Sequence, residues 1–237
     1  MSQAVTITNV GLLHRAMKEL EERPSGLPGL GVMHGYSGYG KSMAASWCHN
    51  RHQSYFVQCQ STWNRKFFLE TVLLEMGITP GKTLPVMTNQ IATELLESQR
   101  PLIVDEADWL AEKRQNAMMI MDIYEASQTP IILIGEERLP SKLSHFEKIH
   151  NRILTWVPAQ PCSLSDLVQL SGLYANGITI EEPLLMDLQA ATKGVTRRAS
   201  TSLANIRHWA ANKGIDVVTR ENYDGGFFTS QPPRGRK

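Results

Sequence analysis

The sequence predicts an α/β fold, a parallel sheet flanked by helices with a small helical domain after it, on three observations. Short apolar runs alternate with amphipathic stretches, the pattern of strands buried on both faces and joined by crossover helices. A glycine-rich segment lies between one such run and a helix-compatible stretch. Beyond about residue 160 the apolar runs stop and helical periodicity takes over. The 237 residues suffice for one to two domains with a sizeable core.

Residues 9–22 (NVGLLHRAMKELEE) place Leu12, Leu13, Met17 and Leu20 at helical spacing, with Asn9 in position to cap the first turn. Pro24, Gly26, Pro28 and Gly29 end that helix. Leu30–His34 reads as a strand entering the glycine-rich turn, Met43–His49 as helix and Ser54–Gln58 as a second strand. Phe67–Met76 and Asn89–Ser98 are amphipathic helices around the loop Gly77–Pro85. Pro101–Val104 is an apolar strand followed at once by acids, with Asp108 as a helix cap near Trp109. Residues 114–127 suit a helix whose Met118, Met119 and Met121 fill core, and Pro130 opens the buried strand Ile131–Ile134. From Ser163 onward helices follow at 164–171, 183–192 and 197–212, with Pro183 in a first turn. A boundary at Ala159–Cys162 divides the chain into a core domain 1–160, a helical lid 161–220 and a flexible basic tail 221–237.

Composition excludes several classes. The hydrophobic fraction of 42% is too high for a disordered chain. No stretch approaches about 18 uninterrupted apolar residues, so no spanning helix and no membrane association are expected. The N-terminus lacks a basic start followed by an apolar run, so it does not read as a secretory signal. Cys48, Cys59 and Cys162 are too few and too scattered for a disulfide framework or a zinc site; buried thiols in a reducing, cytoplasmic setting are expected. His145 and His150, five apart with only Glu147 between them, do not complete a ligand pattern.

Two motifs carry chemistry. Gly35-Tyr36-Ser37-Gly38-Tyr39-Gly40-Lys41-Ser42 fits G-x-x-x-x-G-K-[ST]. Its glycines permit a loop whose backbone N–H groups face phosphate oxygens, and the following helix adds its N-terminal dipole. Lys41 can reach the terminal phosphates of ATP, and the Ser42 hydroxyl can ligate Mg²⁺. The second motif is Leu102-Ile103-Val104-Asp105-Glu106-Ala107-Asp108. A carboxylate ending a buried strand is costly unless it meets a cation, which suits Asp105 to Mg²⁺. Glu106 is placed to polarise an attacking water as a general base. Adjacent carboxylates favour hydrolysis over phosphoryl transfer to a metabolite, which argues against a small-molecule kinase.

With GYSGYGKS, LIVDEAD, the later IILIGEE and the helical C-terminal segment in view, the chain resembles the AAA+ ATPases over roughly residues 5–215. Within them it looks like the DNA-transposition branch, the group of Mu-type phage transposition protein B and the IstB and TnsC families. The resemblance implies that Arg152 acts as an arginine finger on a neighbouring subunit's ATP, and that Arg197 or Arg198 is the lid arginine contacting the terminal phosphate. The position after Gly135, usually polar and neutral in the family, is Glu136 here, a departure that leaves its role open. The family's additional N-terminal helix-turn-helix domain has no counterpart in the roughly 30 residues before the phosphate loop.

The charge is unevenly distributed. The net +1 is the sum of +6 over residues 191–237 and −5 over the rest. The acid-free segment 49–66 carries Arg51, Arg65, Lys66 and Trp63, in the region where related transposition ATPases place DNA-tracking residues. Trp63, Arg65 and Lys66 are therefore the candidates for sequence-nonspecific contact with double-stranded DNA. The resemblance implies an ATP-driven homo-oligomer, filament or ring, that marks target DNA and activates a DDE transposase in a bacterial or phage-infected cell. The alternatives are a helicase loader or replication initiator of the same superfamily, and a nucleotide-gated binding switch.

Overall fold

The computed structural model describes residues 7–231. In chain order its elements are α1 Thr8–Glu21, β1 Leu30–His34, α2 Lys41–His52, β2 Tyr55–Gln58, α3 Arg65–Glu75, α4 Leu84–Ser98, β3 Leu102–Asp105, α5 Asp108–Ala111 and α6 Arg114–Ser127. These are followed by β4 Ile131–Gly135, α7 Leu139–Ser144, α8 Glu147–His150, β5 Ile153–Pro158, α9 Leu164–Tyr174, β6 Thr179–Ile180, α10 Glu182–Thr192, α11 Thr196–Lys213 and β7 Val217–Val218. They form two compact units, with the chain crossing between them after Asn9, Tyr36, Gly40 and Ala159.

The first unit, residues 10–36 and 41–159, is a five-stranded parallel sheet in the order β2-β3-β4-β1-β5, flanked by helices. The apolar runs of β3 and β4 are buried throughout, because inner strands of a parallel sheet are covered on both faces. Leu13, Met17 and Leu20 of α1 are fully buried, and Gly31 on β1 leaves room for Leu20, whose Cδ1 would lie 2.7 Å from any Cβ there. The register brings His34, Gly135 and Pro158 level with one another, and Gln58 level with Asp105. Strand ends that carry chemistry therefore share one edge of the sheet.

Several elements differ from the sequence expectation, which did not include the short helices α7 and α8 or the strands β6 and β7. Helix α4 begins at Leu84, not Asn89, because Pro85 sits in its first turn, where a missing N–H costs nothing. Strand β5 was not expected at all. It is an edge strand whose residues Ile153–Trp156 are only half-buried, although Ile153, Thr155, Trp156 and Val157 are of the β-branched and aromatic types that strands favour.

The second unit holds α9, α10 and α11 and the small parallel pair β6-β7, together with residues 37–40 and the start of α1. Helix α9 opens with a capping box: Ser163 Oγ accepts the Asp166 N–H, and the Asp166 carboxylate accepts the Ser163 N–H. Pro183 lies in the first turn of α10 as expected. The segment expected to be a flexible tail is held onto α11 as far as it is described. Trp209 and Lys213 donate to the Asp224 carboxylate, Tyr223 packs edge-on against Trp209, and Phe228 donates its N–H to Ser202 Oγ. Tyr223, Asp224 and the Phe228 amide anchor its described part; residues 232–237, with Arg234, Arg236 and Lys237, lie outside the described residues.

All three cysteines are free and buried. Burial pushes each thiol up to about 12, so at pH 8 they are un-ionised and shielded. Iodoacetamide at pH 8 should therefore label none of them in the native chain within a time that labels all three in denaturant. Rapid native labelling of Cys48, whose helix packs beside β2 and β3, would show the core to be open there.

Candidate functional site

The carboxyl edge of the sheet collects the chemistry. Asp105 ends β3 at 1% exposure, with one carboxylate oxygen accepting the Glu106 N–H at 2.9 Å. Its other oxygen, Oδ2, is buried and has no hydrogen-bond partner. A buried carboxylate oxygen left so is costly unless a cation or a metal-bound water meets it. Glu106 follows at φ +53°, a left-handed conformation rare for a residue with a side chain and held here by the bond from Asp105. That turn leaves the Glu106 side chain exposed. Burial of its surroundings and the neighbouring Asp105 raise its carboxyl above the ordinary range, with Lys41 pulling the other way.

Lys41 opens α2. Its Nζ donates to the carbonyls of Gly35 at 2.7 Å and Tyr36 at 3.0 Å, so the side chain folds back across the start of its own loop. Burial lowers its ammonium, while Glu106, Asp105, Glu136 and Asp108 oppose that shift, which puts all four carboxylates in its field. Ser42, next along the helix, is exposed, and α2 packs against β3, the strand that ends in Asp105. His34, at the end of β1, has its imidazole pushed down by burial and by Lys41, and stacks edge-on against Trp156.

Asp108 does not cap a helix. Helix α5 starts at Asp108 itself, and its carboxylate instead accepts the Glu136 N–H at 2.7 Å and the Lys142 ammonium at 2.8 Å. The loop after β3 is thereby pinned to the loop after β4. Gly135 permits this, since a Cβ there would run into the Asp108 carboxylate and Leu139. Only the backbone of Glu136 takes part; its side chain is exposed.

The loop tip Ser37–Gly40 belongs to the helical unit. Gly38 and Gly40 have φ +84° and +82°, and a Cβ on Gly38 would approach Val195 to 2.8 Å. The Gly38 carbonyl accepts the Arg197 N–H at 3.0 Å, so the first turn of α11 sits on the loop tip. Arg197 is exposed there and Arg198 half-buried. Asn9, expected as a helix cap, caps nothing: its side chain bonds the Tyr39 carbonyl and the Gln160 backbone. A capping-type residue one position inside α1 gave no sign in the sequence of partners 30 and 151 positions away.

The remaining candidates lie elsewhere. Arg152 is exposed in the turn before β5, and its carbonyl accepts the Leu30 N–H at the start of β1. It is thus roughly 13 Å of strand away from His34 and the loop that follows it. The structure does not bring Arg152 to the chain's own phosphate loop. Trp63 packs against Phe67 and Phe68, and its carbonyl accepts the Trp109 indole N–H at 2.9 Å, so it buttresses the aromatic core as well as facing solvent. Arg65 lines a different recess, with Leu69, Pro85, Arg114 and Asp122. Lys66 is exposed and pairs loosely with Glu70, at 3.6 Å.

Among the described residues no cluster of three His, Cys, Asp or Glu side chains could hold a metal by itself. Mg²⁺ makes no such demand, since it keeps several waters and binds through one or two protein oxygens plus substrate phosphates. Asp105 Oδ2 fits that requirement. Also among the described residues, no helix is long and apolar enough to cross a membrane.

A family model described as an AAA domain matches residues 25–143. No curated protein matches the sequence. Among solved structures, the chain is similar to the Aeropyrum pernix ORC2 protein in its ADPNP–ADP complexes, with 14% identity and a TM-score of 0.69, covering 90% of this chain and 64% of that one. It is similar to the Aeropyrum pernix ORC1 protein in complex with DNA, at 16% identity and TM-score 0.63, over 90% of this chain and 62% of that one. It is likewise similar to the Thermotoga maritima RuvB Holliday junction branch migration motor, at 15% identity and TM-score 0.61, over 90% and 65%. The chain spans slightly under two thirds of each of these proteins, and at such identities the likeness establishes the fold.

Asp108→Ala would remove the Lys142 pair and leave the Glu136 N–H without its acceptor. It should cost about 1–3 kcal/mol in denaturant-induced unfolding, and Asp108→Asn distinctly less. Equal losses in the two variants would mean that the acceptor oxygen is not what matters.

Proposed function

The chain belongs to the AAA domain family, and on that premise we propose that it is a Mg²⁺-dependent ATPase whose nucleotide state controls sequence-nonspecific binding to double-stranded DNA. The observation carrying this reading is the strand-end pair: buried Asp105 with an unpartnered oxygen, followed by Glu106 turned outward in a left-handed conformation, both in the field of Lys41.

Each group has a role. Backbone N–H groups of Gly35–Gly40 and the first turn of α2 cradle the phosphates, and the Lys41 ammonium, leaving its loop carbonyls, neutralises the terminal ones. Ser42 and Asp105 would hold Mg²⁺, which supplies charge neutralisation on the phosphate oxygens when bound. Glu106 orients a water and takes its proton as the oxygen attacks the γ-phosphorus, the bond to ADP breaking on the far side. A carboxyl raised above its ordinary range by burial is a better base for that step. Arg197, whose N–H is held by the Gly38 carbonyl, is assigned to the terminal phosphate on the family resemblance.

Arg152 completes the site only from another copy. It sits at the opposite edge of the sheet from its own phosphate loop, so its guanidinium is available to a neighbour's nucleotide in a homo-oligomer, whether helical filament or ring. DNA contact is assigned to Lys66 and Arg65, with Trp63 holding that segment against the core; a surface pair such as Lys66–Glu70 is weak and exchanges readily for a phosphate. The motifs' resemblance to the transposition branch supports the finer reading, delivery of bound DNA to a DDE transposase in the cytoplasm of a bacterial or phage-infected cell. A second reading, a replication initiator or helicase loader, is favoured by the likeness to two ORC proteins, one of them solved on DNA.

ATP with Mg²⁺ should convert the chain to large assemblies on long duplexes at low salt, whatever their sequence, seen by electron microscopy and mobility shift. Lys41→Ala should abolish nucleotide binding. Glu106→Gln should retain it, slow turnover by about 10²–10⁴ and lengthen assembly lifetime. Arg152→Ala should cut DNA-stimulated turnover by about 10³ or more, and mixing it with Lys41→Ala should restore part of the loss. Absence of any ATP-dependent shift of long DNA would overturn the DNA reading. Stimulation of strand transfer by a transposase, against co-purification with a replicative helicase, separates the two finer readings.

A further inference from the structure

Resting on the nucleotide-site reading above, we propose that Asn9 is a positioning residue for phosphate binding, which aims the Gly40 N–H by holding the Tyr39 carbonyl from behind.

Asn9 is a polar side chain at 3% exposure, and both its amide hydrogens and its carbonyl oxygen are bonded. Its Nδ2 donates to the Tyr39 carbonyl at 2.7 Å and to the Gln160 carbonyl at 2.8 Å, while its Oδ1 accepts the Gln160 N–H at 2.8 Å. Its neighbour is fixed just as firmly. Thr8 donates both its N–H, at 2.7 Å, and its hydroxyl, at 2.9 Å, to Asp166 Oδ1, whose other oxygen is engaged in the α9 capping box. The Asn9 amide is thus a donor held by three bonds and presented to the loop tip.

Peptide planarity converts that bond into an orientation. All described peptides are trans, so the C=O of Tyr39 and the N–H of Gly40 point in opposite directions across one rigid plane. The same holds one residue earlier, where the Gly38 carbonyl accepts the Arg197 N–H and the Tyr39 N–H is turned the other way. Two successive carbonyls are therefore held by protein donors. The Gly40 N–H, across its plane from the carbonyl that Asn9 holds, is thereby directed away from Asn9, toward the side on which phosphate oxygens would be met. Positive φ at Gly38 and Gly40 lets both planes turn this way, but glycine permits many other settings too. Asn9 and the α11 backbone select among them, and Asn9 is the one of the two that a side-chain substitution can remove.

The test uses the full chain, a fluorescent ATP analogue with Mg²⁺, and thermal unfolding without nucleotide. Asn9→Ala should weaken analogue binding about tenfold while retaining a cooperative unfolding transition. Asn9→Asp retains the acceptor for Gln160 but can donate to a carbonyl only when protonated. Its carboxyl, buried against two carbonyl oxygens, takes up a proton readily, so its affinity should recover by about threefold or more from pH 8 to pH 5.5, relative to wild type over the same range. An Asn9→Ala chain that folds and binds like wild type overturns the proposal. So does an Asn9→Asp chain that shows no recovery in acid, because loss of packing alone is indifferent to the proton. Should Asn9→Ala not fold, the Asn9→Asp series decides. Lys41→Ala, run alongside, separates the two levels: if wild type binds no better than Lys41→Ala, the nucleotide-site reading itself fails.

Discussion

A carboxylate at the end of a buried strand is the constraint around which the sheet unit is organised. Asp105 has lost nearly all its water, and the protein supplies a partner for only one of its two oxygens. Such a group is tolerable only where positive charge is near, and Lys41 is the cation in whose field it lies. The parallel register follows the same demand, because it brings the ends of β1, β3 and β4 to one edge and so lets a loop from one strand face an acid from another. The adjoining Glu106 is turned outward by the bond that satisfies the first Asp105 oxygen. One hydrogen bond therefore both stabilises the buried acid and presents the exposed one.

Loops in both units are fixed largely by bonds to backbone, with the Asp108–Lys142 ion pair beside them. Asp108 holds the Glu136 N–H, Arg197 donates its N–H to Gly38, and Asn9 clasps Tyr39 and Gln160. Bonds of this kind set the direction of peptide planes, which is what an anion-binding loop requires. They leave the exposed side chains, Arg197 and Glu136 among them, without a structural task of their own in the described contacts.

What could be read in the sequence divides along a physical line. The phosphate loop and the strand-acid motif were legible because their chemistry is carried by adjacent residues, and adjacency survives in one dimension. The inner strands were legible because full burial demands unbroken apolar runs such as Ile131–Ile134. Strand β5 was not, because Thr155 interrupts its apolar run, although Ile153, Trp156 and Val157 are strand-type residues. Nor were the roles of Asn9 and Asp108. Both are ordinary helix-start residues by local rules, and only folding brings them to partners in other elements. The tail 221–237 was expected to be flexible and basic, while in its described part Tyr223, Asp224 and the Phe228 amide tie it to α11.

The pin between Asp108 and Glu136 bears on how this edge tolerates change. Gly135 has no room for a side chain, because the Asp108 carboxylate already occupies that space. The next position supplies only its amide, which every residue but proline possesses. A strict position thus adjoins a permissive one. With proline excepted, the loop's anchoring bond does not depend on the side chain that follows the glycine, so the acid at 136 can be exchanged for a neutral group to adjust the local field without removing that bond.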